Sequence, residues 1–306
     1  MKKILVIGSL NMDLVTHVKK TPRVGETILG KGYSEIPGGK GANQAVAIGR
    51  LGGEVSMLGM VGNDSFGKVL SDNLKSNNVS TDYLYKTDTE PTGMAMIMVN
   101  EDGDNSIVVV PGANFELAPN KMKDEHLEQV DYVLGQLETP VETIEELFTK
   151  AKEKGIKTIL NPAPARELSQ SLINNIDLLI PNETEFQLLT GIAADTNENI
   201  RIGAKKLFQS GVKEIIITLG KDGAFYLNKE GKEYTAKAYQ VLAVDTTAAG
   251  DSFIGGLLTQ LSLDKSIEEA IDYGMKVGAV TVSRHGAQSS LPNADDIENY
   301  RGEKRK

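Results

Sequence analysis

No cysteine occurs among the 306 residues, so disulfides, thiolate nucleophiles and cysteine-held metals are excluded. Tryptophan is also absent and aromatic residues make up only 5% of the chain, too few to build platforms for stacked nucleobases. The three histidines, His17, His126 and His285, are scattered without metal-ligand spacing. An excess of positive charge is missing too. The net charge is −9, which argues against nucleic acid as a partner. The basic end, Arg301 to Lys306, reads as a solvated tail. No apolar run is long enough to span a membrane. The opening Lys2-Lys3 and Ile4–Ile7 imitate a signal peptide briefly, but Asn11 and Asp13 cut the apolar run short. The expected location is the cytoplasm.

What remains is an ordinary globular composition, 40% hydrophobic and 25% charged, enough for a sizeable core. Short apolar runs alternate with amphipathic helical patterns. Ile4–Ile7, Val55–Val61, Tyr132–Leu137, Thr158–Leu160, Leu178–Ile180 and Ile215–Leu219 read as strands. Ala42–Leu51, Val141–Lys154 and Glu183–Leu189 read as helices. This alternation predicts an α/β fold, a mostly parallel central sheet with helices on both faces. No linker or repeat divides the chain, so a single domain over 1–306 is expected. Two insertions, at about 14–35 and 93–111, break the rhythm. Met94–Val110 reads as two strands around Glu101–Asn105, either inside the main sheet or in a small sheet of its own. The second is preferred, because the hairpin sits out of step with the helical units.

The segment Asp245-Thr246-Thr247-Ala248-Ala249-Gly250-Asp251 precedes Phe253, Ile254, Leu257, Leu258 and Leu261, which recur at helical spacing. Ala248, Ala249 and Gly250 therefore sit at a helix N-terminus, where free backbone N–H groups suit a phosphate or a developing negative charge. Asp251 stands beside them as a proton acceptor. An anion site next to a base is what phosphoryl transfer to a hydroxyl requires. An Asp at a helix start is often only a cap, which would explain Asp251 but not the small-residue turn.

Other segments divide between structural and functional roles. Gly62–Val69 has the spacing of a phosphate-binding loop, but Val69 replaces the hydroxyl residue that would hold Mg²⁺, so that reading is rejected. Gly38-Gly39-Lys40-Gly41-Ala42-Asn43-Gln44 is a glycine turn leading into a helix, or a close approach to a polar ligand. Asn11 and Asp13 follow the first strand, where α/β sheets bind ligands, and Asp13 suits a sugar diol. Thr139-Pro140-Val141-Glu142 reads as a capping box, which leaves Glu138 free for a ligand. Asn182 and Glu185 read as a second box. Thr218–Gly223 reads as a simple hairpin turn or as a turn that exposes backbone N–H groups to a nucleotide phosphate, and the local pattern favours the first.

Taken in order along nearly the whole chain, these segments resemble the phosphofructokinase-B-type family of carbohydrate kinases. Gly38–Gln44 and Asp245–Asp251 carry the resemblance most specifically, and Asn161-Pro162-Ala163-Pro164-Ala165-Arg166 points to its ribokinase branch. The resemblance implies ATP-dependent phosphorylation of the 5-hydroxyl of D-ribose. It makes Asp251 the base and Ala248, Ala249 and Gly250 the anion hole. Asn11, Asp13, Gly39, Lys40, Gly41, Asn43 and Glu138 would hold the sugar. Asn182, Thr218, Leu219, Gly220, Lys221, Asp222, Gly223 and Gly250 would meet ATP, with Met275 near the adenine. Glu185 would act near Mg²⁺. Asp245, Thr247, Thr281, Arg284, Gly286 and Ser290 match a K⁺ site, several through backbone carbonyls. The two insertions match a lid that also forms a homodimer contact. Two alternatives stay open: a kinase for another furanose, such as deoxyribose or a nucleoside, and a non-catalytic sugar sensor on the same scaffold.

Overall fold

A computed structural model describes residues 1–305. The chain opens with β1 (Ile4–Ile7), β2 (Asn11–His17), β3 (Gly32–Gly38) and α1 (Lys40–Arg50). Then come β4 (Val55–Gly62), α2 (Ser65–Ser76), β5 (Val79–Ser80), β6 (Leu84–Thr87), β7 (Gly93–Val99) and β8 (Asn105–Val110). The middle alternates: β9 (Tyr132–Gly135), α3 (Val141–Glu153), β10 (Lys157–Leu160), α4 (Gln170–Asn174), β11 (Leu178–Leu179), α5 (Glu183–Thr190), α6 (Asn197–Ser210) and β12 (Glu214–Thr218). The hairpin of β13 (Ala224–Asn228) and β14 (Glu233–Ala236) follows. The helices α7 (Ala249–Ser262), α8 (Ile267–Val282) and α9 (Ala294–Asn299) close the chain.

Among the described residues the main sheet runs β14-β13-β12-β11-β10-β9-β1-β4-β5, with β6 also on β4. From β12 to β5 the pairings are parallel; β13 and β14 extend it antiparallel. The strand β1 explains why both faces need helices. Ile4 and Val6 join the core beneath α1 and α7, whereas Leu5 and Ile7 join the opposite core with Ile144 and Phe148 of α3. Side chains alternate across a strand, so four consecutive apolar residues require cover on both sides.

Four strands lie apart from this sheet. They pair in the order β3-β2-β7-β8, with β2 parallel to β7 and the other pairs antiparallel. The Met94–Val110 hairpin thus belongs to a small separate sheet. No helix among the described residues is long and apolar enough to cross a membrane.

Two local expectations are corrected. Thr139 does not cap α3. Pro140 takes the N-cap position without a side-chain bond, and the Thr139 hydroxyl is buried with no partner among the described residues. The basic end is exposed, as expected, but it is not a free tail: Lys304 bridges to Tyr239 and pairs with Asp272 at 2.8 Å, and the Arg305 N–H donates to the Ala238 carbonyl at 2.7 Å. Lys306 lies outside the described residues. The rejected phosphate loop has a structural use: Asp64 caps α2 by accepting the Gly67 N–H, and also accepts the Thr92 N–H and hydroxyl, just before β7.

Candidate active site

The helix α7 begins as expected, with Ala248 as N-cap in the left-handed region at φ 59°. An alanine there is strained, and the strain turns the chain sharply into the helix. The Ala249 N–H donates to the Thr246 carbonyl at 3.2 Å, while those of Ala248 and Gly250 have no acceptor among the described residues. A phosphoryl group would meet the latter two directly and would displace a turn bond to use the first.

Asp251, in the first turn, is only 7% exposed. Its Oδ2 accepts from Asn43 Nδ2 at 3.0 Å and its Oδ1 from Gln44 Nε2 at 2.9 Å. Both donors come from α1, which packs against α7. The glycine turn leading into α1 is thus what delivers amides to Asp251. Gly39 is the N-cap of α1, and Lys40 and Gly41 form its first residues, so the helix starts two positions before the periodicity suggests.

Three further carboxylates surround this end. Glu138 lies three residues beyond β9, which ends at Gly135. Its Oε2 accepts from the Ser9 hydroxyl at 2.5 Å and the Lys40 N–H at 3.1 Å, while Oε1 has no hydrogen-bond partner among the described residues. Asp13, on β2, makes no hydrogen bond among the described residues. Burial, and then the charge of Glu138, push its carboxyl up to about 7. Glu185 is raised by burial, partly offset by the Asn182 N–H that it accepts at 2.9 Å. The Asn182–Glu185 capping box is present as expected. Burial pulls the Lys40 ammonium down, but Asp251, Glu138 and Glu185 more than offset this and hold it above its ordinary value. Asn11 is buried, and its Oδ1 accepts from Asn114 Nδ2 at 2.8 Å.

Across α7 lies a cleft of about 480 Å³. Asn182, Thr218, Gly220, Lys221 and Gly223 line one side; Ala249, Gly250 and Phe253 form its floor; Gly274, Met275 and Gly278 of α8 line the other. Leu219 and Asp222 belong to the same turn but do not line the cleft. Leu219 packs against the core, and the Asp222 N–H closes the turn on Leu219. Arg305 does line it, through the folded-back end of the chain.

Of the expected cation residues, Asp245, Thr247 and Gly286 are joined directly. Asp245 Oδ1 accepts the Thr247 N–H and Oδ2 accepts the Gly286 N–H, both at 2.9 Å, joining the two loops. Burial opposes its ionisation, but these bonds prevail and hold the carboxyl below its ordinary value. Thr281 and Ser290 spend their hydroxyls on backbone carbonyls. The Arg284 guanidinium pairs with Asp296 at 2.9 Å.

Sequence reasoning missed the amides. Gln44, Asn114, Asn161 and Gln288 all hold site residues through buried side-chain bonds. These bonds join residues 103 to 245 positions apart in the chain, a separation no local motif reveals.

A profile described as pfkB family carbohydrate kinase matches residues 1–294. A ribokinase from Haemophilus influenzae is 40% identical over 297 residues, covering 96% of this chain and 97% of that protein. A deoxyribokinase from Salmonella typhi is 38% identical over 300 residues, 97% of this chain and 98% of its own. The solved structure of Arabidopsis thaliana ribokinase complexed with ribose and ATP matches with a TM-score of 0.92 at 32% identity, covering 97% of each chain. The chain belongs to the pfkB family of carbohydrate kinases.

Proposed function

We propose that this protein transfers the γ-phosphoryl group of ATP to the 5-hydroxyl of D-ribose. The observation that carries the reading is the position of Asp251. Its carboxylate is held by Asn43 and Gln44, in the first turn of the helix whose N-terminus floors the cleft. In this reading ATP lies in the cleft that Asn182, Thr218, Gly220, Lys221 and Gly223 help to line, and the sugar lies next to Asp251. The hydroxyl oxygen attacks the γ-phosphorus as its proton passes to Asp251. The bond from the γ-phosphorus to the bridging oxygen breaks, and ADP leaves. The N–H groups of Ala248 and Gly250, joined by that of Ala249, stabilise the charge on the moving group. In a loose transition state the proton leaves late, so a weak but well-placed base suffices.

Asn11, Asp13, Gly39, Lys40, Gly41, Asn43 and Glu138 hold the sugar in this reading. Asp13 favours ribose over 2-deoxyribose, because a carboxylate without a protein partner suits a vicinal pair of hydroxyls. Met275 and its helix neighbours border the adenine. Glu185 offers a hard oxygen on the phosphate side, where Mg²⁺ would neutralise phosphate charge when bound. Asp245 and the carbonyls of Thr247, Thr281, Arg284, Gly286 and Ser290 form an oxygen-donor set suited to K⁺, which would stiffen the anion-hole turn. The β3-β2-β7-β8 sheet acts as the lid and as the contact with a second copy of the chain. The domain is a single one over the whole chain.

The test is an acceptor panel with Mg-ATP in K⁺ and in Na⁺. Ribose is expected to be the best acceptor, with faster turnover in K⁺. Far better use of 2-deoxyribose or adenosine would assign another furanose, and ribose binding without ADP release would make the protein a sensor. Indifference to the cation would remove the K⁺ site.

A further inference from the structure

We propose that Gln44 is a positioning residue for Asp251 and that Gln136 holds Gln44 in the orientation this requires. The inference rests on Asp251 being the base. A carboxylate offers only acceptors, so the end of the Gln44 amide facing Asp251 Oδ1 at 2.9 Å is its NH₂. The same nitrogen donates to Asn161 Oδ1 at 3.1 Å. Asn161 is itself fixed, because its Nδ2 donates to the Ile180 carbonyl at 3.0 Å. Gln44 Oε1 therefore points the other way, toward Gln136, whose Nε2 donates to it at 2.5 Å.

This chain of orientations has a visible consequence. Gln136 Oε1 is left buried and without a partner among the described residues. Turning the Gln136 amide over would set two oxygens face to face. The orphan oxygen fits only because position 8 is glycine; a Cβ there would run into it. A buried acceptor without a partner is costly, and an apolar side chain here would only move that cost to Gln44 Oε1. Its presence is explained if Gln136 serves to keep the Gln44 donor on Asp251. Asn43 works from the other side: it donates to Asp251 Oδ2 at 3.0 Å while its own Oδ1 accepts from Gln288 at 3.0 Å. The two amides from α1 thus fix the plane of the carboxylate. Gln44 and Gln136 are each 0% exposed, so neither is open to solvent.

The experiment compares Gln44→Met and Gln136→Met in steady-state kinetics and thermal unfolding. Gln44→Met is expected to lower kcat about tenfold or more, with KM for ribose and ATP within about twofold. In an Asp251→Asn background the same change should cost less than about twofold, since the group it positions is gone. Gln136→Met is expected to lower kcat about threefold with little change in Tm, because one buried acceptor without a partner, Gln136 Oε1, is exchanged for another, Gln44 Oε1. Unchanged kcat in both variants, or an equal loss with and without Asp251, would overturn the proposal. If Gln44→Met does not fold, Gln136→Met decides: a lower kcat at near-unchanged Tm supports the proposal, and an unchanged kcat overturns it. Wild-type turnover of ribose tests the underlying reading separately. Should another acceptor be the substrate, the comparison is made with that acceptor; should none be phosphorylated, both readings fall.

Discussion

Asp251 and Asp13 are both buried or partly buried carboxylates in the proposed sugar site, but their partners differ. Asp251 accepts one amide on each oxygen, whereas Asp13 has none among the described residues. Asp251→Asn keeps the shape and removes the base. It is expected to lower kcat by about 10²- to 10⁴-fold while ribose affinity, measured by calorimetry, changes little. Near-normal turnover would rule out the proposed base. For Asp13 the consequence is a pH dependence. Its carboxyl is raised from 3.8 to about 7, so the folded protein binds this proton more tightly than the unfolded chain does. Its contribution to the stability of the ligand-free protein therefore falls as pH rises between those two values. Ribose binding should run the other way. The sugar hydroxyls need the ionised form, so affinity should rise up to about tenfold from pH 6 to pH 8, with proton release on binding. Calorimetry in buffers of different ionisation enthalpy reads this directly. Asp13→Asn should abolish the dependence, and a flat profile in the wild type would refute it.

At the scale of elements, the site depends on how closely α1 and α7 approach. Gly255 of α7 lies against Ala47 of α1, and a Cβ at position 255 would run into the alanine methyl. Asn43 and Gln44 ride on one helix and Asp251 on the other. Gly255→Leu is therefore expected to destabilise the protein by about 1–3 kcal/mol through overpacking. It should also lower kcat by separating donors from base. Urea unfolding and steady-state kinetics check the two effects. Unchanged kcat would mean that the helix spacing does not set the base. Element type was largely legible from local pattern, as in the apolar run Ile4–Ile7 and the Asn182–Glu185 box. The Thr139 box was misread because the same letters allow two frames. With Pro140 as N-cap rather than first helical residue, the threonine side chain falls one position too early.

At the scale of the whole molecule, the separate sheet exposes apolar surface: Ile107 is 52% exposed and Val108 59%. Such a surface fits the proposed contact with a second copy. Ile107→Asp is expected to shift the protein from dimer to monomer in sedimentation and to raise KM for ribose. A wild-type monomer would remove this reading. The reversals along the chain's end belong to this scale as well. The basic end is exposed, as its charge suggests, yet Lys304 and Arg305 return to the Ala238–Tyr239 strand edge beside the nucleotide cleft.

By itself the sequence determined the α/β order of strands and helices, the helix start at Asp245–Asp251 and the main glycine turn. These rest on periodicity and on neighbours a few residues apart. Only the tertiary structure decided which amides grip Asp251, which carboxylate stands without a partner, and where Glu138 is anchored. Those contacts join residues as far apart as positions 44 and 251, and hydrogen bonds between distant side chains depend on sheet order and helix packing that no local pattern encodes.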